Sequence, residues 1–193
     1  MQRSAVWFVA TSLAGLAALF QDPKPAPAPA AAPAAPAVVA RPVAVPADVA
    51  SIEAITAALY ASISGAAGQA RDWDRMRSLF HPDARLVPML KGKDGMATRL
   101  LTVDDYVKRS GPMLERDGFF EQEIARKVEA FGDFAHVWST YEGRRTLADE
   151  KPFLRGINSI QLVRQGGRWH VLQILWEQEA DAGPIPAQYL PAK

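Results

Sequence analysis

The stretch from Phe119 to Glu179 constrains this chain most. It reads as extended segments joined by tight turns. Phe120 to Phe131 alternates, with Phe120, Ile124 and Val128 on one side and Glu121, Glu123, Lys127 and Glu129 on the other. Gly132-Asp133 turns the chain into a second segment, Ala135 to Arg145, and a polar connection leads to a third, Phe153 to Arg164. Gln165-Gly166-Gly167-Arg168 is a hairpin signal, because paired glycines supply the positive φ that a two-residue turn needs. Trp169 to Glu179 closes the series. Hairpin after hairpin predicts an antiparallel sheet.

Helical patterns precede the sheet. Ile52, Ile55, Leu59 and Ile63 fall on one face and predict a helix from about Asp48 to Ser64, with Asp48 as its cap. Asp72 opens a second helix, with Trp73, Met76, Leu79 and Phe80 as its apolar stripe and Pro82 as its stop. Ala84 to Leu90 reads as a strand, followed by a loop from Gly92 to Gly95. Thr102-x-x-Asp105 resembles a capping box and opens a third helix, which Gly111-Pro112 should break or kink. Helices first and a curved sheet last predict one α+β domain with a pocket between its layers.

The 193 residues do not all belong to that domain. Met1-Gln2-Arg3, an apolar run from Ala5 to Phe20 and an abrupt polar end predict residues 1–22 to be a signal peptide or an N-terminal anchor. Residues 23–46 are Ala/Pro-rich and predict an extended linker. The folded domain is expected over 47–182, with a Pro-containing tail at 183–193. The protein is thus expected to be exported, periplasmic or secreted, touching a membrane only through an uncleaved leader. The net charge is +1, with 22 basic and 21 acidic residues interleaved, which offers nucleic acid no patch. Without cysteine there is no disulfide, thiolate metal site or thiol nucleophile.

Three motifs carry a family resemblance. Arg71-Asp72-Trp73-Asp74 with Leu79-Phe80-His81-Pro82-Asp83-Ala84, then Phe131-Gly132-Asp133-Phe134-Ala135-x-Val137, then Gly167-Arg168-Trp169-x-Val171 occur in the order seen in the nuclear-transport-factor-2-like superfamily. The chain resembles its SnoaL-like and ketosteroid-isomerase-like bacterial branches. The resemblance implies a cone: a strongly curved antiparallel sheet wrapped around the N-terminal helices, open at one end into a mostly apolar pocket. It also implies dimers through the sheet. The family's isomerases place a general-base aspartate just before a proline on the first strand. Here Val87 precedes Pro88, and valine takes no proton. The same enzymes carry a tyrosine on the first helix as an oxyanion donor, and Tyr60 lies in a comparable register.

Candidate chemistry is sparse. His81 and Tyr60 are the candidate catalytic residues, each with a plain structural alternative: a helix-end contact for His81, core-edge packing for Tyr60. The expected pocket lining is Tyr60, Trp138, Tyr141, Arg155, Asn158, Trp176 and Glu177, and Phe153 is a further bulky candidate. Arg155 needs a carboxylate, which Glu142 or Glu177 would supply. Alternation sets Trp138, Thr140 and Glu142 against Val137, Ser139 and Tyr141, and both faces carry aromatics, so the concave face stays open. No metal-ligand, phosphate-loop or dinucleotide motif is present, so no metal or cofactor is expected. These features fit an exported domain that binds a small hydrophobic molecule. The alternatives are an enzyme (lyase, isomerase or hydrolase) on a small organic substrate, and a dimeric protein-interaction domain.

Overall fold

The computed structural model describes residues 41–192, so the leader and most of the linker lie outside the described residues. Two long helices and a short one pack on one face of a six-stranded sheet. In chain order the elements are α1 (Ile52–Ile63), α2 (Trp73–Leu79), β1 (Phe80–Gly92), β2 (Gly95–Thr98), α3 (Val103–Asp117), β3 (Phe120–Phe131), β4 (Phe134–Arg144), β5 (Leu154–Gln165), β6 (Arg168–Gln178) and the single turn α4 (Glu179–Ala182). The sheet order is β2-β1-β6-β5-β4-β3. Every pair is antiparallel except β1 with β6, which is parallel.

Local signals explain most of the boundaries. Ser51, rather than Asp48, caps α1 by accepting from the Ala54 amide. Asp48 lies in a preceding 3-10 turn and pairs with Arg75 instead. Asp72 caps α2 as expected, and Thr102 and Asp105 form a full capping box on α3. Pro112 does not end α3. The helix runs on to Asp117, and Gly111 packs against the Trp73 ring, where a Cβ would meet an indole carbon at 3.1 Å. β1 begins at Phe80 and takes in Pro82, with a pairing irregularity between Phe80 and Arg85. The expected loop at Gly92 is the tip of a β1–β2 hairpin. Ala44 is already buried against the core, and Arg41 donates to the Pro82 carbonyl, so packing begins a few residues before 47.

The core lies between α1, α2 and the concave face of β4, β5 and β6. Ile55, Leu79, Phe80, Val137, Ile160, Leu162 and Val171 are essentially inaccessible to solvent there. The outer face carries the chain's tail. Thr140 donates to the Tyr189 carbonyl, and the Tyr189 ring rests on Trp138 at 5.4 Å between centroids. Ile185 of the tail is also buried.

Arg71 ties the helices together. It is buried, and its guanidinium donates to the carbonyls of Ile63, Gly65, Ala66, Gln69 and Leu114. The Glu115 carboxylate accepts from the Arg71 amide and from the Trp73 indole, which clamps α3 onto the start of α2.

Phe80→Ala should cost about 3–5 kcal/mol in urea unfolding, while Trp169→Ala, at a half-buried ring, should cost less than that range. Arg71→Leu should cost more than about 3 kcal/mol, because it leaves buried carbonyls without donors. A loss below about 1 kcal/mol in the urea midpoint analysis would contradict the clamp.

Candidate functional site

A cavity of about 390 Å³ opens between α1, α3 and the concave face of the sheet. That volume suits a small organic molecule. Leu59, Ile63, Leu86, Leu114, Phe119 and Ile174 give it apolar walls. Tyr106 from α3 sets its ring edge against Trp176 of β6 at 6.1 Å. Polar groups enter from Tyr60, Glu121, Tyr141 and Asn158.

Strand register explains why these side chains converge. Ser139 faces Asn158, and Asn158 faces Trp176, across three neighbouring strands. Tyr141 faces Gly156, and a side chain at Gly156 would collide with the Tyr141 hydroxyl and the Glu177 carbonyl. The glycine therefore makes room for the tyrosine over the strand. The concave face is the one with Val137, Ser139 and Tyr141.

Glu121 reaches the cavity because of a bulge. Glu121 and Glu123 pair with Gly143 and Tyr141, but the register then shifts, so that Ala125 meets Thr140 and Arg126 meets Ser139. The bulge resets the alternation. Glu121 and Glu123 face inward with Arg126, while Lys127 and Glu129 face outward. A strict period-two reading places Glu121 on the polar outer side, which is how sequence reasoning passed over it. Its acidic position between Phe119-Phe120 and the inward strand residues was the available signal.

The hydrogen bonds have a direction. Ser139 donates to the Glu123 carboxylate, which is also held by Arg126. The Ser139 proton is committed, so the Tyr60 hydroxyl, 2.7 Å away, is the donor to Ser139. Tyr60 in turn accepts from the Asn158 amide at 3.0 Å. Its proton is therefore used inside the protein, and burial raises its pKa far above the usual phenol value. Tyr60 lines the cavity but does not offer it an O–H. Glu121 receives one long contact from Asn158, at 3.4 Å. It faces the void, so part of its surface is open, yet protein surrounds that void on most sides. Desolvation pushes its carboxyl up to about 8, against a weaker opposing effect of Asn158. At neutral pH it is mostly a protonated acid with its O–H available. The Tyr106 and Tyr141 hydroxyls also make no side-chain hydrogen bond among the described residues, and burial raises both.

Tyr60, Tyr141, Asn158 and Trp176 thus meet at the cavity. Trp138, Arg155 and Glu177 do not, and their reading as pocket lining is corrected by the strand alternation. Trp138 lies on the outer face under Tyr189. Glu177 alternates with Trp176 and Gln178, which both line the cavity, and so points away. Arg155 makes a two-pronged pair with Glu179, not with Glu142 or Glu177. Phe153 is half-exposed and packs on Phe119 and Arg145. His81 belongs to the start of β1, where its Nδ1 accepts from the Asp83 amide and its ring meets His170 edge-on. Val87 points away from the cavity between Leu86 and Pro88, which line it. Among the described residues no cluster of three or more His, Asp or Glu could hold a metal ion, and no helix is long and apolar enough to cross a membrane.

No protein-family model matches the chain, and no curated protein matches it. Solved structures do match its fold. A protein of unknown function with a cystatin-like fold from Nostoc punctiforme aligns with a TM-score of 0.50 at 15% identity, over 66% of this chain and 87% of its own. A nuclear-transport-factor-2-like protein of unknown function from Silicibacter pomeroyi aligns at 0.45 and 15% identity, over 66% and 92%. Another from Methylobacillus flagellatus aligns at 0.44 and 15% identity, over 66% and 94%. The alignment with the Nostoc punctiforme protein shows a cystatin-like fold. At such identities the likeness speaks for fold and not for function.

The Glu121 carboxyl sets a pH dependence. The unfolded chain releases this proton near the ordinary 4.5 and the folded one near 8, so the folded state binds more protons between these values. Stability should therefore fall as pH rises from about 4.5 to about 8 and level off beyond, at up to about 1.4 kcal/mol per pH unit from this group. Glu121→Gln should remove that slope. Urea midpoints measured at several pH values for both proteins check this, and parallel curves would refute it.

Proposed function

We propose that this domain holds a small, mainly apolar molecule in the cavity between its helices and sheet, with one hydrogen-bond acceptor of that molecule against Glu121. The observation that carries the reading is the cavity itself: apolar walls around one enclosed carboxylic acid, Glu121, whose proton no group among the described residues takes up. The leader-like residues 1–22 support placing this activity outside the cytoplasm, in the periplasm or beyond, or on a membrane through an uncleaved anchor. A homodimer through the outer face of the sheet completes the proposal. The tail covers Trp138 and Thr140, which leaves the row Glu129, His136, Gln161 and Gln173, aligned across four strands, for a second copy.

Catalysis on a small organic substrate is the second reading, and Glu121 is also the observation that favours it. A carboxyl raised toward neutrality in an enclosed cavity suits general acid–base work. On that reading Glu121 moves the proton, and Tyr106 or Tyr141 polarises the substrate. Tyr60, whose proton is spent on Ser139, and His81, outside the cavity, take no part.

The test is binding of 1-aminoanthracene to the full chain, followed by its fluorescence. The dye should saturate at one site per domain. Ser110→Trp, which places a large ring at the α3 wall, should weaken binding by about tenfold or more. A dye that does not bind, or binds Ser110→Trp equally well, would overturn the cavity reading. Native mass spectrometry of the same protein gives the stoichiometry and the dimer in one measurement.

A further inference from the structure

The cavity has two chemically different ends. Glu121 is enclosed by protein, whereas Arg99 and Arg109 line the same cavity and are exposed. Arg99 stands in the segment that returns to β1 through the Leu101–Leu86 backbone bridge. Arg109 stands one residue before Ser110 on the cavity side of α3. Two cations therefore mark the mouth, and apolar rim residues Leu90 and Met113 stand beside them.

Arg75, Arg77, Arg126, Arg144 and Arg155 are each bound to a carboxylate. Among the described residues no carboxylate forms an ion pair with Arg99 or Arg109, and neither guanidinium has a side-chain hydrogen bond. Arg85, Arg164 and Arg168 on the strands also lack a carboxylate partner, but they do not line the cavity, whereas Arg99 and Arg109 stand at its opening. The rim thus offers a carboxylate several charge-assisted donors. The deep end offers it nothing comparable. An anion beside Glu121 would sit in low dielectric next to a group that burial already discourages from ionising.

We propose that the ligand is an amphipathic organic carboxylate, bound head outward, with its acid group at Arg99 and Arg109, its apolar body along the cavity walls and the acceptor at its far end against Glu121. This deepens the reading of the cavity as a ligand site and rests on it. The orientation is fixed by the two ends. Apolar surface goes to Leu59, Leu114 and Ile174, and charge stays where water and two guanidinium groups meet it.

The experiment is displacement of 1-aminoanthracene from the full chain by decanoate, decanol and decyltrimethylammonium, at low and high salt. Decanoate should displace the dye at about tenfold lower concentration than decanol at low salt, which corresponds to about 1.4 kcal/mol shared between the two rim pairs. The cationic amphiphile should be the weakest. The advantage of decanoate should shrink as salt rises. In the double variant Arg99→Gln, Arg109→Gln it should vanish while displacement by decanol is unchanged. Both positions are exposed, so these variants keep the fold. Equal displacement by decanoate and decanol in the unaltered protein, or an advantage that survives the double variant, would overturn the carboxylate proposal and leave the cavity reading standing. A dye that never binds would overturn both.

Discussion

The arrangement of the helices depends on one buried guanidinium. Arg71 gathers the carbonyls that end α1, those of the loop after it, and one near the end of α3. A helix end leaves carbonyls without intrahelical partners, and a buried one must find donors elsewhere. A single planar cation with five N–H groups meets that need for two helices at once. It also fixes the residue beside it: a Cβ at Gly65 would lie 2.5 Å from the guanidinium nitrogen. No carboxylate is bonded to this guanidinium. Its charge is balanced by carbonyl dipoles and by nearby Glu115, which bonds the Arg71 amide rather than the side chain.

The cavity inherits its shape from that clamp. α3 supplies Tyr106, Arg109, Ser110, Met113 and Leu114, a whole wall, and Arg71 and Glu115 hold its C-terminal half to α1 and α2. The opposite wall is sheet, and its contribution turns on the bulge in β3. Without the extra residue between Glu123 and Ala125, the strand could not direct both Glu121 and Arg126 inward. Arg126 neutralises Glu123, which anchors the Ser139–Tyr60–Asn158 chain. A register irregularity and an ion pair thus combine to leave one acid, Glu121, without a charge partner.

Much of the fold was legible because its signals are local. The Asp72 cap, the Thr102–Asp105 capping box and the Gly166–Gly167 turn, with φ of 60° and 78°, each act within a few residues. The parallel β1–β6 pairing and the β1–β2 hairpin were not, since both are settled by which strand edge is free once the others have paired. The site was legible in part. Tyr60, Tyr141, Asn158 and Trp176 obey simple alternation. Trp138 obeys it too, but alternation alone does not say which face is concave, and a large aromatic satisfied either choice. The tail residue Tyr189, which covers Trp138, decides that question from the far end of the chain. Glu121 was hidden by the bulge, and the role of Tyr60 by a hydrogen-bond direction that only three-dimensional neighbours define.

The retained acid is the strongest reason to look for a ligand in this cavity. A carboxyl in an apolar enclosure, with one long contact to an amide, costs the fold more than an apolar side chain of the same size would. The neighbouring network does not need it, because Asn158, Tyr60 and Ser139 form a directed chain that ends on Glu123. Packing does not explain it either, since the side chain faces a void rather than filling it. A neutral acid in such a place has one property that leucine or glutamine lacks: it can donate a proton-bearing oxygen to an acceptor and, as pH rises toward its raised pKa, become an acceptor itself. On the proposed reading the unfavourable desolvation is the counterpart of selectivity. A molecule with an acceptor at its buried end is held by Glu121, and one without it leaves the acid as unsatisfied as before.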